Sequence, residues 1–600
     1  MQIPFCFAFF VFFWSPVSSA FSDVTESVGI SVVKGYVAAF GDFNGDKETD
    51  LFVVTNGGKQ LEILFWDNSD QKFKKGNAEV LLSEQIVNVS PTDFDGDGCL
   101  DVLITTQSQN AGSQETATVF VYWGNLQKLG DSVNFTMRDQ PLVMDANGDL
   151  LPDLLGESVD GNVRSYWISK GSNRSFDVQP QSNSSGKLNP IRVPHSNAFL
   201  DLTGDYTADL YVSNQQNKGE IWVNEAGILT FGQTISLPPI TNKEIKIFGQ
   251  STFADIDGDG RLDMFLPVCT SDDCSESSVY VYSSGRWWKM MSNERRPNTW
   301  QFIPPANQTS SMFPLMTIRT GDYDMDGFYD GLVVMDINEP GGQSYRKVAV
   351  LLENVACSSA EHDYCLKDKR AFEVHWKDLS NLEDAVLATF YDLYEDGQID
   401  ILMVTESSST AQYQIHALEN AFYYDASFLK VYVLGGRTLT TCANDNLPYG
   451  VNQVGPFIKY TTTSTNGDIK YGSAAQLSQS AYFALQCPYT VFGLGRTPNF
   501  VDDLAVGMPG SIKRPERNQT WESIIPNSQV IVIPYPPDDP SSWTMKLLVT
   551  PSKLVLLTGL SLLGICVVIG IIILLLHLKE KREDQKEKQR DAHKFHFDAM

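Results

Sequence analysis

Asp255, Asp257, Asp259 and Asp263 stand at positions 1, 3, 5 and 9 of the nine-residue stretch DIDGDGRLD. Carboxylates at this spacing can converge on one hard cation. Ca²⁺ takes 6–8 oxygens at about 2.3–2.6 Å, and a tight loop supplies side-chain oxygens from positions 1, 3 and 5. Position 7 adds a backbone carbonyl, position 9 closes the site, and glycine at position 4 permits the sharp turn. The pattern recurs seven times along the chain. The first copy offers Asp42, Asn44, Asp46 and Asp50, and the second Asp93, Asp95, Asp97 and Asp101. The third offers Asp145, Asn147, Asp149 and Asp153, and the fourth Asp201, Thr203, Asp205 and Asp209. After the fifth, at Asp255, the sixth brings Asp322, Asp324, Asp326 and Asp330, and the seventh Asp392, Asp396 and Asp400. Successive copies begin 51, 52, 56, 54, 67 and 70 residues apart.

The copies are not equal. The second and fifth have carboxylates at all four positions; the sixth does too, but carries Met325 where glycine is usual. Asn44 and Asn147 still bring an oxygen, and Thr203 is a weaker ligand. Tyr394 and Glu395 at positions 3 and 4 leave the seventh copy readable as a turn without an ion. Bare Asp-Gly turns are the competing reading for any one copy, and near-regular recurrence argues against it for the set. An EF-hand needs Glu at position 12 and flanking helices. Here position 12 is Val53, Ile104, Gly156, Val212, Leu266, Val333 or Met403. These loops hold about a third of the 73 Asp and Glu, and bound Ca²⁺ accounts for much of a formal charge of −28. So acidic a surface repels phosphate backbones and excludes nucleic acid as a partner.

Each loop runs into an apolar, often β-branched stretch: DLFVV, DVLIT, DLLG, DLYVS, DMFLP, DGLVV, DILMV. Those read as buried strands, which places the loops in β-hairpins. Units of this length holding several strands match the four-stranded blades of a propeller. The expected fold is all-β: a seven-bladed β-propeller over residues 21–432, a small β domain over 433–545, and one transmembrane helix. An open solenoid is the alternative, but it needs caps, and closure removes exposed sheet edges. The stretch FGLGRTPNFVDDLAVGMPG, Phe492 to Gly510, belongs to a separate β domain or to a decayed eighth copy; we favour the separate domain.

Residues 1–20 read as a signal peptide, apolar and ending in Ser18-Ser19-Ala20. Residues 554–576 carry no charge and are long enough to span a bilayer. Trp543 stands upstream as an interfacial aromatic, and the Lys/Arg-rich run after the span places residues 577–600 in the cytosol. The expected product is a type I membrane protein with its ectodomain from Phe21 to Thr550. Sequons at Asn88, Asn134, Asn173, Asn183, Asn307 and Asn518 all precede the span. Short-range pairing of cysteines gives Cys269–Cys274, Cys357–Cys365 and Cys442–Cys487, with Cys99 left over. His195, His362, His375 and His416 share no motif, and neither G-x-S-x-G nor H-E-x-x-H occurs. The expectation is therefore a binding protein rather than an enzyme, with an ectoenzyme on a propeller scaffold as the alternative.

The loops followed by apolar strands resemble the FG-GAP repeats of integrin α-chain propellers. The layout of signal, seven repeats, β module, span and basic tail resembles the T-cell immunomodulatory protein or Linkin family (integrin-alpha FG-GAP repeat-containing proteins). The resemblance implies structural Ca²⁺, a plasma-membrane location, cell adhesion or modulation of T-cell function through an extracellular or cell-surface protein ligand, and an ectodomain open to shedding. For the cytosolic tail it implies cytoskeletal or AAA+ ATPase partners, and so a scaffold role as a further alternative. No inserted ligand-binding domain is present, which separates the chain from integrin-style ligand capture.

Overall fold

The computed structural model describes residues 21–549 and 553–597, apart from 108–115, 160–162, 183–187, 241–242, 296–298, 305–315, 339–344, 359–361, 368, 408–411, 422–425, 438–448, 465–466 and 497–499. The expected signal peptide therefore lies outside the described residues, as do Asn183, Asn307 and Cys442.

The last Asp of every loop begins a strand: Asp50–Thr55, Asp101–Gln107, Asp153–Glu157, Asp209–Ser213, Asp263–Cys269, Asp330–Ile337 and Asp400–Glu406. These strands are covered on both faces along most of their length, which is why they read as continuous apolar runs rather than as alternating ones. Each is the second strand of an antiparallel sheet, paired in a hairpin with an inner strand such as Gly35–Gly41. Third and fourth strands follow, as in Gln60–Asp67 and Lys72–Leu81. Among the described residues, seven sheets are built this way.

The seventh sheet takes its fourth strand from the other end of the chain: Phe21–Asp23 pairs antiparallel with Tyr413–Asn420. Neighbouring sheets share apolar cores all the way round. Val119 and Trp167 join the second and third sheets, Leu155 and Leu210 the third and fourth, Tyr211 and Phe253 the fourth and fifth, Phe265 and Val350 the fifth and sixth, and Leu351 and Met403 the sixth and seventh. One core joins the first sheet both to the second, through Val102, and to the seventh, through Tyr391, whose ring centroid lies 5.0 Å from that of Phe40. The sheets therefore close into a propeller.

The expected boundary at 432/433 falls inside a strand. Ser427–Val433 belongs to the second module, where it pairs with Thr490–Gly495 and, in parallel, with Ser528–Ile533. Thr544–Val549 completes that sheet; a second sheet holds Ile469–Ala475, Phe457–Thr463, Val501–Met508 and Arg517–Ile524. Leu429, Val431, Ile458, Leu504, Val506, Val530 and Trp543 fill the space between the sheets. Trp543 is thus a core residue, its Nε1 donating to Pro536 O at 3.0 Å, rather than an interfacial anchor. DDLAVGMPG forms no ninth-residue loop: its Asp503 and Asp502 accept from the hydroxyls of Thr461 and Thr463 on the neighbouring strand.

Between two strands of this module the chain dips into the propeller. Gln479 bridges Phe40 N and O on the first inner strand. Ser480 Oγ accepts from Val143 N on the third, Phe483 N donates to Asn88 Oδ1 on the second, and Phe483 O accepts from Arg319 on the sixth. Leu485 O accepts from Thr389 on the seventh. Contacts to five inner strands place this segment in the central channel. Ala481, Tyr482, Phe483 and Leu485 have φ of 71, 57, 54 and 53°, a left-handed run that L-residues adopt only under constraint.

Separately from this unit, Lys553–Phe597 forms one helix of 45 residues, and its Leu557–Asp591 portion is long and apolar enough to cross a membrane.

Candidate metal centres

The loops share one hydrogen-bonding scheme, which six of the seven show in full and the fifth shows without the bond from its ninth Asp to the third strand. The first Asp turns its Oδ2 back to accept the position-6 amide, at 2.8 Å from Lys47 in the first loop and 2.9 Å from Gly98 in the second. The ninth Asp accepts the position-2 amide with Oδ2, as Asp101 does from Phe94 at 2.9 Å. Its Oδ1 accepts from the third strand, as Asp101 does from Gly124 at 2.8 Å. Asp50, Asp153, Asp209, Asp330 and Asp400 repeat both bonds. The ninth Asp thus ties its loop to the sheet. Position 4 has positive φ even without glycine: 59° at Met325 and 54° at Glu395.

What differs is where positions 3 and 5 aim their remaining oxygens. Asp93, Asp95 and Asp101 bring one oxygen each within 4.8 Å of one another, as do Asp255, Asp257 and Asp259, and Asp322, Asp324 and Asp330. These are the three loops with Asp at all four positions. Their carboxylates are packed against burial and against each other. Burial first, then Asp97 and Asp95, push Asp93 up to about 8; burial first, then Asp263 and Asp259, push Asp255 up to about 8. Basic side chains offset part of this repulsion. Arg174 Nε lies 2.8 Å from Asp95 Oδ2, and Lys367 Nζ 2.6 Å from Asp257 Oδ2. Asp257 Oδ1 is buried with no hydrogen-bond donor. A clustered, under-satisfied set of hard oxygens fits Ca²⁺ in the second, fifth and sixth loops.

The first and third loops are held by their own amides: Asn44 Nδ2 donates to Asp46 Oδ2 at 2.7 Å and Asn147 Nδ2 to Asp149 Oδ2 at 3.0 Å. In the fourth, Asp201 accepts from Thr203, Gly204 and Tyr206 amides. The seventh does not fit an ion. Tyr394 leaves the loop to pack on Trp66, 6.1 Å between centroids, and the buried ammonium of Lys430 lies 2.8 Å from Asp392 Oδ2 and against Glu395. Burial alone would lower the Lys430 pKa, but Asp392 and Glu395 raise it, so the group stays charged.

Lys430 comes from the second module, and it is not the only such contact. Ser473 donates through N and Oγ to Asp255 Oδ2 at 3.1 and 3.2 Å, and Gly493 N donates to Asp322 Oδ2 at 3.0 Å. A Cβ on Gly493 would stand 2.2 Å from that oxygen, so only glycine fits there. Arg517 Nη1 donates to Gly148 O in the third loop at 2.8 Å. The acidic loops thus line the seam between the modules. Sequence reasoning missed these partners because Ser473, Gly493 and Lys430 lie outside the repeat and carry no pattern of their own.

Cys269–Cys274 and Cys357–Cys365 are disulfides as expected. Cys442–Cys487 is not: Cys487 is a free thiol, half-buried in the channel segment, and Cys99 is the bonded residue, to a partner outside the described residues. Asn134, Asn173 and Asn518 are exposed, whereas Asn88 is buried.

The family model described as an FG-GAP-like repeat matches residues 42–104 and 201–266, and the one described as the ITFG1 C2 domain matches residues 448–548. The chain is 41% identical over 601 residues to the T-cell immunomodulatory protein of Homo sapiens, covering 97% of this chain and 95% of the relative. It is 42% identical over 601 residues to that of Mus musculus, with the same coverage. To protein linkin of Caenorhabditis elegans it is 27% identical over 608 residues, covering 94% of this chain and 95% of the relative.

Proposed function

This chain belongs to the T-cell immunomodulatory protein family, and from that premise we propose a calcium-stiffened, cell-surface binding protein of single-pass type I topology. The C-terminal helix anchors it, and the propeller with its second module stands outside the cell. Ca²⁺ in the second, fifth and sixth loops fixes the face on which the second module rests. The observation that carries this reading is the convergence of three carboxylates in each of those loops, all three of which also bond the second module directly, the second through Gly98 O and the other two through a carboxylate. The ions are structural, because extracellular Ca²⁺ modules bind at about 10⁻⁴–10⁻³ M and stay filled.

With the loops committed to an internal seam, an extracellular protein ligand meets the opposite ends of the sheets, where turns such as Asn56–Gly58 lie. By its family, that ligand belongs to adhesion or to modulation of T cells. Proximity labelling on intact cells, with the enzyme tag fused at the N-terminal side of Phe21, tests the placement. The expected result is labelled cell-surface proteins; labelling of cytosolic proteins alone would overturn it.

A further inference from the structure

We propose that a cavity in the propeller channel, walled by Asn197, Gln250 and Arg319, holds a small inorganic anion of the size and charge of chloride. The three residues stand on the inner edges of the fourth, fifth and sixth sheets, in or just before the strands Ala198–Leu200, Thr252–Ala254 and Arg319–Gly321. Neighbouring edges are tied to one another: Ser196 Oγ accepts from Ser251 N at 3.1 Å, and Thr252 Oγ1 donates to Ile318 O at 2.7 Å. The channel segment closes the cavity with Ser480 and Tyr482, and its volume is about 60 Å³. A water occupies about 30 Å³ in the liquid, so the space suits a monatomic or very small anion and no phosphoester.

Each wall residue brings a buried donor that meets no acceptor in the protein: Asn197 Nδ2, Gln250 Nε2 and Arg319 Nε. Asn197 and Gln250 are only 8 and 9% exposed. Their amides are oriented by their oxygens. Asn197 Oδ1 accepts from Ser213 N at 2.9 Å. Ser196 Oγ already accepts from Ser251 N and from Arg192 Nη2, so its own proton goes to Gln250 Oε1, at 2.7 Å. The nitrogens are thereby left as the donors. Leaving a buried N–H without an acceptor is costly, and three around one cavity call for an acceptor within it.

Charge decides that the acceptor is an anion. Arg319 donates to carbonyls, Ala388 O at 3.2 Å and Phe483 O at 2.7 Å, and no carboxylate among the described residues pairs with it. Burial lowers its pKa to about 10 with no acidic neighbour opposing the shift, and the group is still charged at neutral pH. Arg192, bonded to Ser196 of the same wall, likewise donates to Pro194 O and Gly249 O rather than to a carboxylate. Asp139 meets the wall at the Tyr482 hydroxyl, which donates to it, and its charge is favoured by Arg138. A water would bring two protons of its own and no countercharge. An anion satisfies the three donors, neutralises Arg319 and, through Phe483 O, fixes the channel segment against three sheets.

The test uses the full chain in neutral detergent micelles at fixed Ca²⁺, with sodium chloride compared against sodium gluconate, an anion too large for the cavity, at equal ionic strength. The native chain should broaden the chloride NMR line, bromide should reverse the broadening, and melting should be higher in chloride than in gluconate. Gln250→Glu keeps the bond from Ser196 through one oxygen and puts the other in place of Nε2. Like charge in the site should weaken chloride binding at least about tenfold and remove the difference in melting between the two salts. Arg319→Gln should do the same by removing the cation. No broadening and no chloride-dependent melting in the native chain would overturn the proposal without recourse to either variant. Broadening and salt-dependent melting that Gln250→Glu and Arg319→Gln both retain would also overturn it, as the mark of an adventitious ion only.

Discussion

The ammonium of Lys430 lies 2.8 Å from Oδ2 of Asp392, with both side chains buried and the Tyr489 ring centroid 3.9 Å from the same nitrogen. A propeller loop and the first strand of the second module are thereby joined by a charge that belongs to the chain. Breaking a buried pair from one side leaves an uncompensated charge and costs about 3–5 kcal/mol. Lys430→Met should destabilise the chain by about that much in chemical denaturation. The triple change with Asp392→Asn and Glu395→Gln should recover part of the loss. A cost below about 1 kcal/mol for Lys430→Met would show that the seventh loop does not depend on its lysine.

Ions in the other loops give a different signature. A ligand that binds only the folded state stabilises it by mass action, about 1.4 kcal/mol per site at ten times Kd. Chelating Ca²⁺ with EGTA should lower the melting transition by several degrees. Asp257→Ala, in the fifth loop, should remove more of the Ca²⁺-dependent stabilisation than Thr203→Ala in the fourth. An unchanged transition on chelation, or the reverse ranking, would count against the assignment.

The repeat made the loops, the hairpins and the seven sheets legible, because each carries the same acidic spacing and the same apolar strand. Position 9 was legible as an oxygen but not as a tie to the third strand, since its partners are backbone amides that any residue supplies. The closing strand Phe21–Asp23 is too short to carry a period of its own. The channel segment has no helical or strand alternation, and four L-residues at positive φ leave no mark in composition. The pairing of Cys442 with Cys487 rested on proximity along the chain. The fold instead puts Cys487 in the channel, where its Sγ lies 3.6 Å from Phe390 O.

Stability should respond to acid through His195, a buried residue whose ring meets that of Tyr482 in the channel segment edge-on, 5.7 Å between centroids. Its Nδ1 accepts from Asn197 N at 3.2 Å, so the proton is on Nε2, which donates to Gln140 O at 2.7 Å. Burial, reinforced by Arg192, lowers its pKa to about 4. Unfolded, the group titrates near 6.5. Between those values the unfolded chain takes up a proton that the folded chain refuses, so stability falls as pH drops from about 6.5 to about 4. Between pH 7 and 5 the native chain should lose about 2 kcal/mol more than His195→Gln. The loop carboxylates titrate in both proteins and cancel in the comparison. Parallel curves would show that His195 takes up its proton as readily in the folded chain as in the unfolded one, and would overturn the assignment.

Asn88 separates a glycan from a structural amide. It lies in a sequon, yet its Oδ1 accepts from Phe483 N at 2.9 Å and its Nδ2 donates to Gln479 O at 3.3 Å, both in the channel segment. A sugar on Nδ2 would replace that second bond and has no space in the buried site. Glycopeptide mass spectrometry of the full chain should find the Asn88 peptide bare, whatever the occupancy at the exposed Asn134, Asn173 and Asn518. Asn88→Ala should cost about 1–3 kcal/mol, because it leaves the Phe483 amide buried without an acceptor. Ser90→Ala destroys the same sequon but removes only a hydroxyl that has no hydrogen-bond partner, so it should change stability little. If instead the two substitutions were equally damaging, a glycan at Asn88 would be holding the fold, and the amide's hold on the channel segment would be secondary.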